Sequence, residues 1–267
     1  MRERLYRVEA IVLKRTDHGE ADRLLTLLTP DLGKMRAIAK GARKPSSRKS
    51  GHVELFTHCA LMLAKGKTND VVTQADTIDT FIELRDNLDR VGYAYYIAEL
   101  VDRFSEEATE NRALYDLFLN TLGWLGIAST NPDLLARFFE LRLLQFVGYR
   151  PQLFECLHCG KAIEPIENFF SAEAGGLIDP DCIQAEHRAR DAQPISLNAL
   201  KVLRYLQTRD WETVRGLRLT PEAMAEVEAL LQSYIVYHLE RSLKSVEFLN
   251  ELKKEANISR TEWDKSK

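Results

Sequence analysis

Residues 22–52 read DRLLTLLTPDLGKMRAIAKGARKPSSRKSGH, two short apolar runs set either side of Pro30-Asp31-Leu32-Gly33. Proline fixes φ, aspartate hydrogen-bonds its own backbone and glycine accepts a left-handed conformation, so the span reads as the turn of a β-hairpin. In the second arm Met35, Ala37 and Ala39 alternate with Lys34, Arg36, Ile38 and Lys40, and period two on a strand puts three cations on one face. The chain then enters GARKPSSRKSG, where Pro45, the serines and the glycines keep the backbone irregular while Arg43, Lys44, Arg48 and Lys49 continue the charge. Seven Lys and Arg stand between Asp31 and Glu54 with no acid among them, which predicts a continuous basic stripe.

Working outward, the same period-two texture runs from Tyr6 to Asp76. It predicts strands over Arg7–Lys14, Asp22–Thr29, Lys34–Lys40, Leu55–Ala64 and Asp70–Asp76, a small antiparallel sheet or barrel compatible with an oligonucleotide/oligosaccharide-binding (OB) fold. Cations along a strand and its loop suit the regular phosphates of a nucleic acid, with release of counterions and a strong salt dependence. Tyr6 and Phe56 are the only large aromatics nearby, so backbone contact is favoured over base stacking.

The charge is partitioned. Residues 1–80 carry 15 Lys and Arg against 10 Asp and Glu, within a chain of 267 residues and formal net charge -3. A basic first part joined to an acidic remainder suggests a polyanion for the former and other partners for the latter. No stretch is apolar enough for a membrane span, and MRERLYRVEAIVLKR has no signal-peptide core, which points to a cytoplasmic protein.

Enzyme signatures are missing. Gly66-Lys67-Thr68 resembles the end of a phosphate-binding loop, but Leu61 stands where that motif needs glycine. No nucleophile-elbow serine, His-Glu-x-x-His helix or dinucleotide fingerprint occurs, so a non-enzymatic protein is expected.

After Thr80 the spacing becomes helical. Helices are expected from Phe81 to Phe104, over ALYDLFLNTLGWLGI, over DLLARFFELRLLQFVGY behind Asn131-Pro132, over LNALKVLRYLQ capped by Ser196, and from Thr220-Pro221 to about Glu255. Residues 151–193 interrupt this pattern with CLHCG, AGG and PDC. Cys156-x-x-Cys159 is a knuckle whose thiolates can share a metal with Cys182; Asp179, His187, His158 or Asp181 could supply a fourth ligand for zinc. Cys59 reads as a small buried hydrophobe, and His18, His52 and His58 as surface or capping residues.

Taken together, GEADRLLTLLTPDLGKMRAIAKGARKPSSRKSGHVELF, TQAD, RFFELRLLQFVGYRP and CLHCG followed by FFSAEAGGLIDPDC resemble the bacterial recombination mediator family RecO. The resemblance implies an α+β multidomain protein: an OB domain over 1–79, a mainly helical domain over 80–150 and 194–256, and a zinc-finger-like insertion over 151–193. Beyond it, the polar residues 257–267 are themselves expected to form a disordered tail. It implies binding of single- and double-stranded DNA and annealing of complementary strands. The implied partners are RecR and the C-terminal tail of single-stranded DNA-binding protein, with RecA acted on indirectly, and the implied location is the nucleoid. Lys34, Arg36, Lys40, Arg43, Lys44, Arg48 and Lys49 fall in the family's basic segment. Cys156, Cys159 and Cys182 match three of four zinc cysteines, with Asp179 in place of the other. Arg137 and Arg142, beside Phe138 and Phe139, are the candidates to receive a peptide carboxylate. The competing readings are a zinc-containing nucleic-acid-binding regulator or scaffold, and a nuclease.

Overall fold

Strands β1 (Leu5–His18), β2 (Asp22–Thr29), β3 (Gly33–Ala39), β4 (His58–Ala64) and β5 (Asp70–Asp79) close into a barrel in the order β1-β2-β3-β5-β4. The structure is a computed structural model and describes residues 5–185, 190–240 and 243–252. Neighbouring strands are antiparallel except β3 and β5, which pair in parallel at Ala37–Asp70 and Ile38–Val71. The sequence expectation of an antiparallel sheet therefore holds for every pair but the closing one.

Alternation decides which side chains fill the barrel. Val8, Ala10 and Val12 of β1, Leu25 and Leu27 of β2, Ala37 and Ala39 of β3, and Cys59, Leu61 and Leu63 of β4 form one buried cluster. Alanines and a cysteine among the leucines fit the narrow interior of so small a barrel. Gly33, φ +62, begins β3 where a Cβ would lie 2.0 Å from the Thr109 carbonyl oxygen, so the close approach of that segment demands glycine. The Gly66-Lys67-Thr68 segment lies between β4 and β5, with Gly66 N–H donating to Asp70 Oδ1 at 2.9 Å. It is a hairpin loop, with no helix after it.

Helices α1 (Ile82–Arg85), α2 (Leu88–Phe104) and α3 (Arg112–Gly126) follow. Asn87 and Asn111 cap the last two, each accepting from the N–H three residues on, Arg90 at 3.1 Å and Leu114 at 3.0 Å. These helices and the helical residues 244–252 belong with the barrel to one compact unit, and Thr130–Leu243 form the second. The first unit therefore runs past the last barrel strand to Ser129. Ile11 and Leu28 explain why: they are paired across β1 and β2, outside the barrel cluster, yet only 0% and 2% exposed.

In the second unit α4 (Pro132–Phe146) starts at Asn131 and Pro132 as the capping pattern predicts. Residues 151–193, whose lack of periodicity gave no element, contain β6 (Asn168–Ser171), β7 (Gly176–Ile178) and α5 (Pro180–Ala185), and β8 (Gln193–Ile195) completes a sheet of order β7-β6-β8. Helices α6 (Leu197–Thr208), α7 (Trp211–Val214) and α8 (Pro221–Leu239) complete the unit. Ser196 and Thr220 cap α6 and α8 by accepting from Ala199 N–H at 3.1 Å and Ala223 N–H at 3.3 Å. The helix expected to run to Glu255 stops at Leu239, where Glu240 adopts φ 52. The expected tail 257–267 lies outside the described residues, among which no helix is long and apolar enough to cross a membrane.

Candidate nucleic-acid interface and metal centre

The seven cations of the basic stretch do not form one continuous stripe. Lys34, on β3, has a side chain 13% exposed and pairs with Asp102 of α2 at 3.3 Å. Arg36 meets Glu107 at 2.9 Å. The second pair follows from the segment between α2 and α3, whose Ala108 N–H donates to Lys34 C=O at 2.9 Å and lays Glu107 along β3. Lys34 is therefore corrected from a phosphate contact to an internal anchor. Asp102 and Glu107 stand no nearer in the sequence than Asp76, Asp79, Glu83, Asp86 and Asp89, so nothing in it singled them out as the counter-charges.

Beyond the strand, Arg43 pairs with Asp17 at 3.3 Å and Lys49 donates to Val72 C=O at 2.9 Å. Lys40, Lys44 and Arg48 are exposed and have no side-chain hydrogen bond or ion pair among the described residues. At the adjoining strand ends Arg15 and Arg23 both pair with Glu54, the second at 2.8 Å. Of the seven cations, the unpaired ones stand in the loop after β3, with Arg43 and Lys49 holding that loop against the barrel.

One expectation about histidine changes. His58 is 8% exposed and its Nε2 lies 2.8 Å from Glu9 Oε1 and 3.2 Å from Tyr115 OH, which itself donates to Glu9 at 3.0 Å. This polar cluster ties β4 and β1 to α3, so His58 is a buried network residue and not a surface one. The His58 hydrogen bond holds the Glu9 carboxyl below its ordinary range. Cys59 is as expected, fully buried with its thiol pushed up to about 12 by burial. Phe56 is 3% exposed and stacks edge-on to Tyr95, so it offers no face to a base.

The insertion gathers Cys156, Cys159, Asp179 and Cys182, whose ligand atoms all lie within 4.8 Å of one another. The knuckle is shaped by backbone bonds, Cys156 N–H to Lys161 C=O at 2.8 Å and Gly160 N–H to Cys156 C=O at 2.9 Å, with Gly160 at φ +72. Asp179 stands directly before α5. Its Oδ1 accepts Cys182 N–H at 2.8 Å and its Oδ2 accepts the Cys159 thiol at 3.0 Å. That thiol holds the Asp179 carboxyl well below the usual range, and the carboxylate in turn raises the Cys159 thiol. Four donors this close fit a single tetrahedral ion, whose thiolate sulfurs at bonds of about 2.3 Å stand roughly 3.8 Å apart. His187 lies outside the described residues, and His158 and Asp181 are not in the cluster. Asp179 is the fourth residue.

Arg137 is corrected too. It is 2% exposed, its guanidinium 2.6 Å from Glu140 and 3.3 Å from Glu228, so it belongs to a core ion pair and not to the surface. Arg142 is half-buried over the Phe138 ring at 5.2 Å and donates to Gln145 at 3.3 Å. Of the two arginines it alone reaches the surface.

Comparison with known proteins agrees with these features. The profile of Recombination protein O N terminal matches residues 1–81, and that of Recombination protein O C terminal matches residues 85–247. The chain is 49% identical over 253 residues to the DNA repair protein RecO of Roseiflexus sp., covering 95% of this chain and 88% of that protein. It is 40% identical to the DNA repair protein RecO of Dehalococcoides mccartyi over 95% of this chain and 98% of that protein, and 37% identical to that of Desulforamulus reducens over 96% and 98%. With a five-stranded barrel, a helical part and a Cys3Asp cluster all in place, the chain belongs to the RecO family of DNA repair proteins.

Proposed function

We propose that the protein is a non-enzymatic, cytoplasmic recombination mediator that binds DNA through the loop after β3. In this reading it anneals complementary strands and, with RecR, helps RecA replace single-stranded DNA-binding protein, whose C-terminal tail it contacts. The observation that carries the reading is the group Lys40, Lys44 and Arg48, exposed and without internal counter-charge beside a closed five-stranded barrel. Such cations gain by meeting phosphates and lose no intramolecular pair in doing so.

Zinc is the metal assigned to the Cys3Asp cluster, from the thiolate-rich donor set and its four ligand atoms within 4.8 Å of one another. Held there, the ion would link the 156–160 knuckle to the start of α5 and stabilise the insertion. Asp179, already the cap of α5, would couple that helix to the metal.

The test is annealing of fluorescent complementary oligonucleotides coated with single-stranded DNA-binding protein. Acceleration by wild type, lost when Lys44 and Arg48 are both changed to alanine, supports the mediator. No acceleration at any salt, together with bound metal, would favour the regulator or scaffold reading, and metal-dependent strand cleavage would make the protein a nuclease.

A further inference from the structure

Within the first unit a cleft of about 680 Å³ opens beside β1. Leu13, 5% exposed, and Leu55 lie deep in it, whereas Tyr95 and Phe248 are 43% and 39% exposed and form its rim. Its position follows from a bulge: the β1–β2 register shifts between Val12 and Lys14, leaving Leu13 unpaired, so Leu13 and Lys14 are successive yet both line the cleft.

The lining is cationic in effect. Lys14, Arg15, Arg103 and Lys244 face two acids, Glu99 and Asp102. Glu99 is occupied at the start of the helical residues 244–252, accepting Ser245 N–H at 2.8 Å, Ser245 Oγ–H at 2.6 Å and Lys244 N–H at 3.3 Å, and it also pairs with Arg103 at 3.5 Å. Asp102 is occupied by Lys34. Lys14 and Lys244 have no side-chain hydrogen bond or ion pair among the described residues.

Register joins this cleft to the sheet face that carries Arg36, itself paired with Glu107. Lys14 is opposite Thr26 on β2, and Thr26 is opposite Arg36 on β3. Directly opposed residues share a face, so a single row leads from Arg36 through Thr26 to Lys14 at the mouth of the cleft. Exposed rings beside unpaired cations, at the end of such a row, suit a planar aromatic group attached to an anionic backbone.

We infer that the cleft takes an unstacked nucleotide of a single DNA strand, its base against Tyr95 and Phe248 and its phosphates on Lys14 and Lys244. The inference rests on the DNA-binding reading above and adds base stacking to what is otherwise phosphate contact.

The test compares a labelled oligothymidylate, an abasic strand of the same length and a duplex as probes of the full chain. Wild type prefers the oligothymidylate over the abasic strand by about tenfold, the size expected for stacking one base on protein aromatics. Phe248→Ala and Tyr95→Ala bring the two affinities together without weakening duplex binding, Phe248→Tyr keeps the preference, and Lys14→Gln weakens both single strands. A preference that survives Phe248→Ala and Tyr95→Ala overturns the inference, as does equal binding of both strands by wild type. An acidic peptide bound by wild type and lost in Phe248→Ala, with the thymidylate preference intact, assigns the cleft to a protein partner and overturns it too. Failure of wild type to bind any of the three probes instead removes the DNA reading on which the inference stands.

Discussion

The Lys34 ammonium lies 3.3 Å from Asp102 Oδ1 and also donates to the Asp102 carbonyl oxygen, pinning β3 to α2. It separates cations that hold the fold from cations that face outward. Lys34→Ala is expected to lower stability by about 1–2 kcal/mol, because a part-buried carboxylate loses its partner, and to leave the salt slope of DNA binding unchanged. Thermal melts and a salt titration of the same variant check both halves.

Arg137 gives a sharper stability prediction. Removing one member of a buried ion pair strands the other, so Arg137→Ala is expected to cost about 3–5 kcal/mol, whereas Arg142→Ala, half-exposed, costs about 1 kcal/mol or less. Denaturant midpoints distinguish them. Equal, small effects would return Arg137 to the surface.

For the insertion, loss of a metal ligand should be read against a gain. Asp179→Cys completes a four-thiolate set and is expected to raise resistance to a chelator, while Asp179→Ala removes ligand and helix cap together and abolishes binding. Metal content by mass spectrometry, with chelator competition, measures this. Cys156→Ser is expected to lose the metal and to lower the melting temperature; an unchanged melt with no metal in wild type would remove the centre.

Acid stability tests the Glu9–His58–Tyr115 cluster. The Glu9 carboxyl is held below its ordinary value of 4.5 chiefly by the His58 hydrogen bond. A carboxyl depressed in the folded state contributes stability that is present above its unfolded value and lost as pH falls through the folded one. Wild type should therefore lose more melting temperature than Glu9→Gln as pH falls below about 4.5, and the two should run parallel above that. Parallel curves below it would contradict the assignment.

Much of this was legible in the sequence because it depends on local chemistry. Pro30, Asp31 and Gly33 located the hairpin, alternation located the strands, and Ser196 and Thr220 located two helix starts. What was illegible depends on chain segments far apart. Nothing near Lys34 announces that residues 102 and 107 return to neutralise it and Arg36, and nothing in RFFELR distinguishes the buried Arg137 from the half-exposed Arg142 until Glu228 is brought alongside. The short strands β6 and β7 escaped because stretches of 4 and 3 residues carry too few periods to register. Asp179 was legible as one ligand among several; its selection followed only once α5 placed its two oxygens on Cys159 and Cys182.

The central claim is that exposed cations of the loop after β3 hold DNA phosphates. Its most direct test is the salt dependence of single-strand affinity for wild type and for Lys40→Ala with Lys44→Ala and Arg48→Ala. Loss of three phosphate contacts predicts a log–log slope shallower by about two units, at roughly 0.7 per contact, with an unchanged melting temperature. A triple variant that kept the wild-type slope would contradict the account.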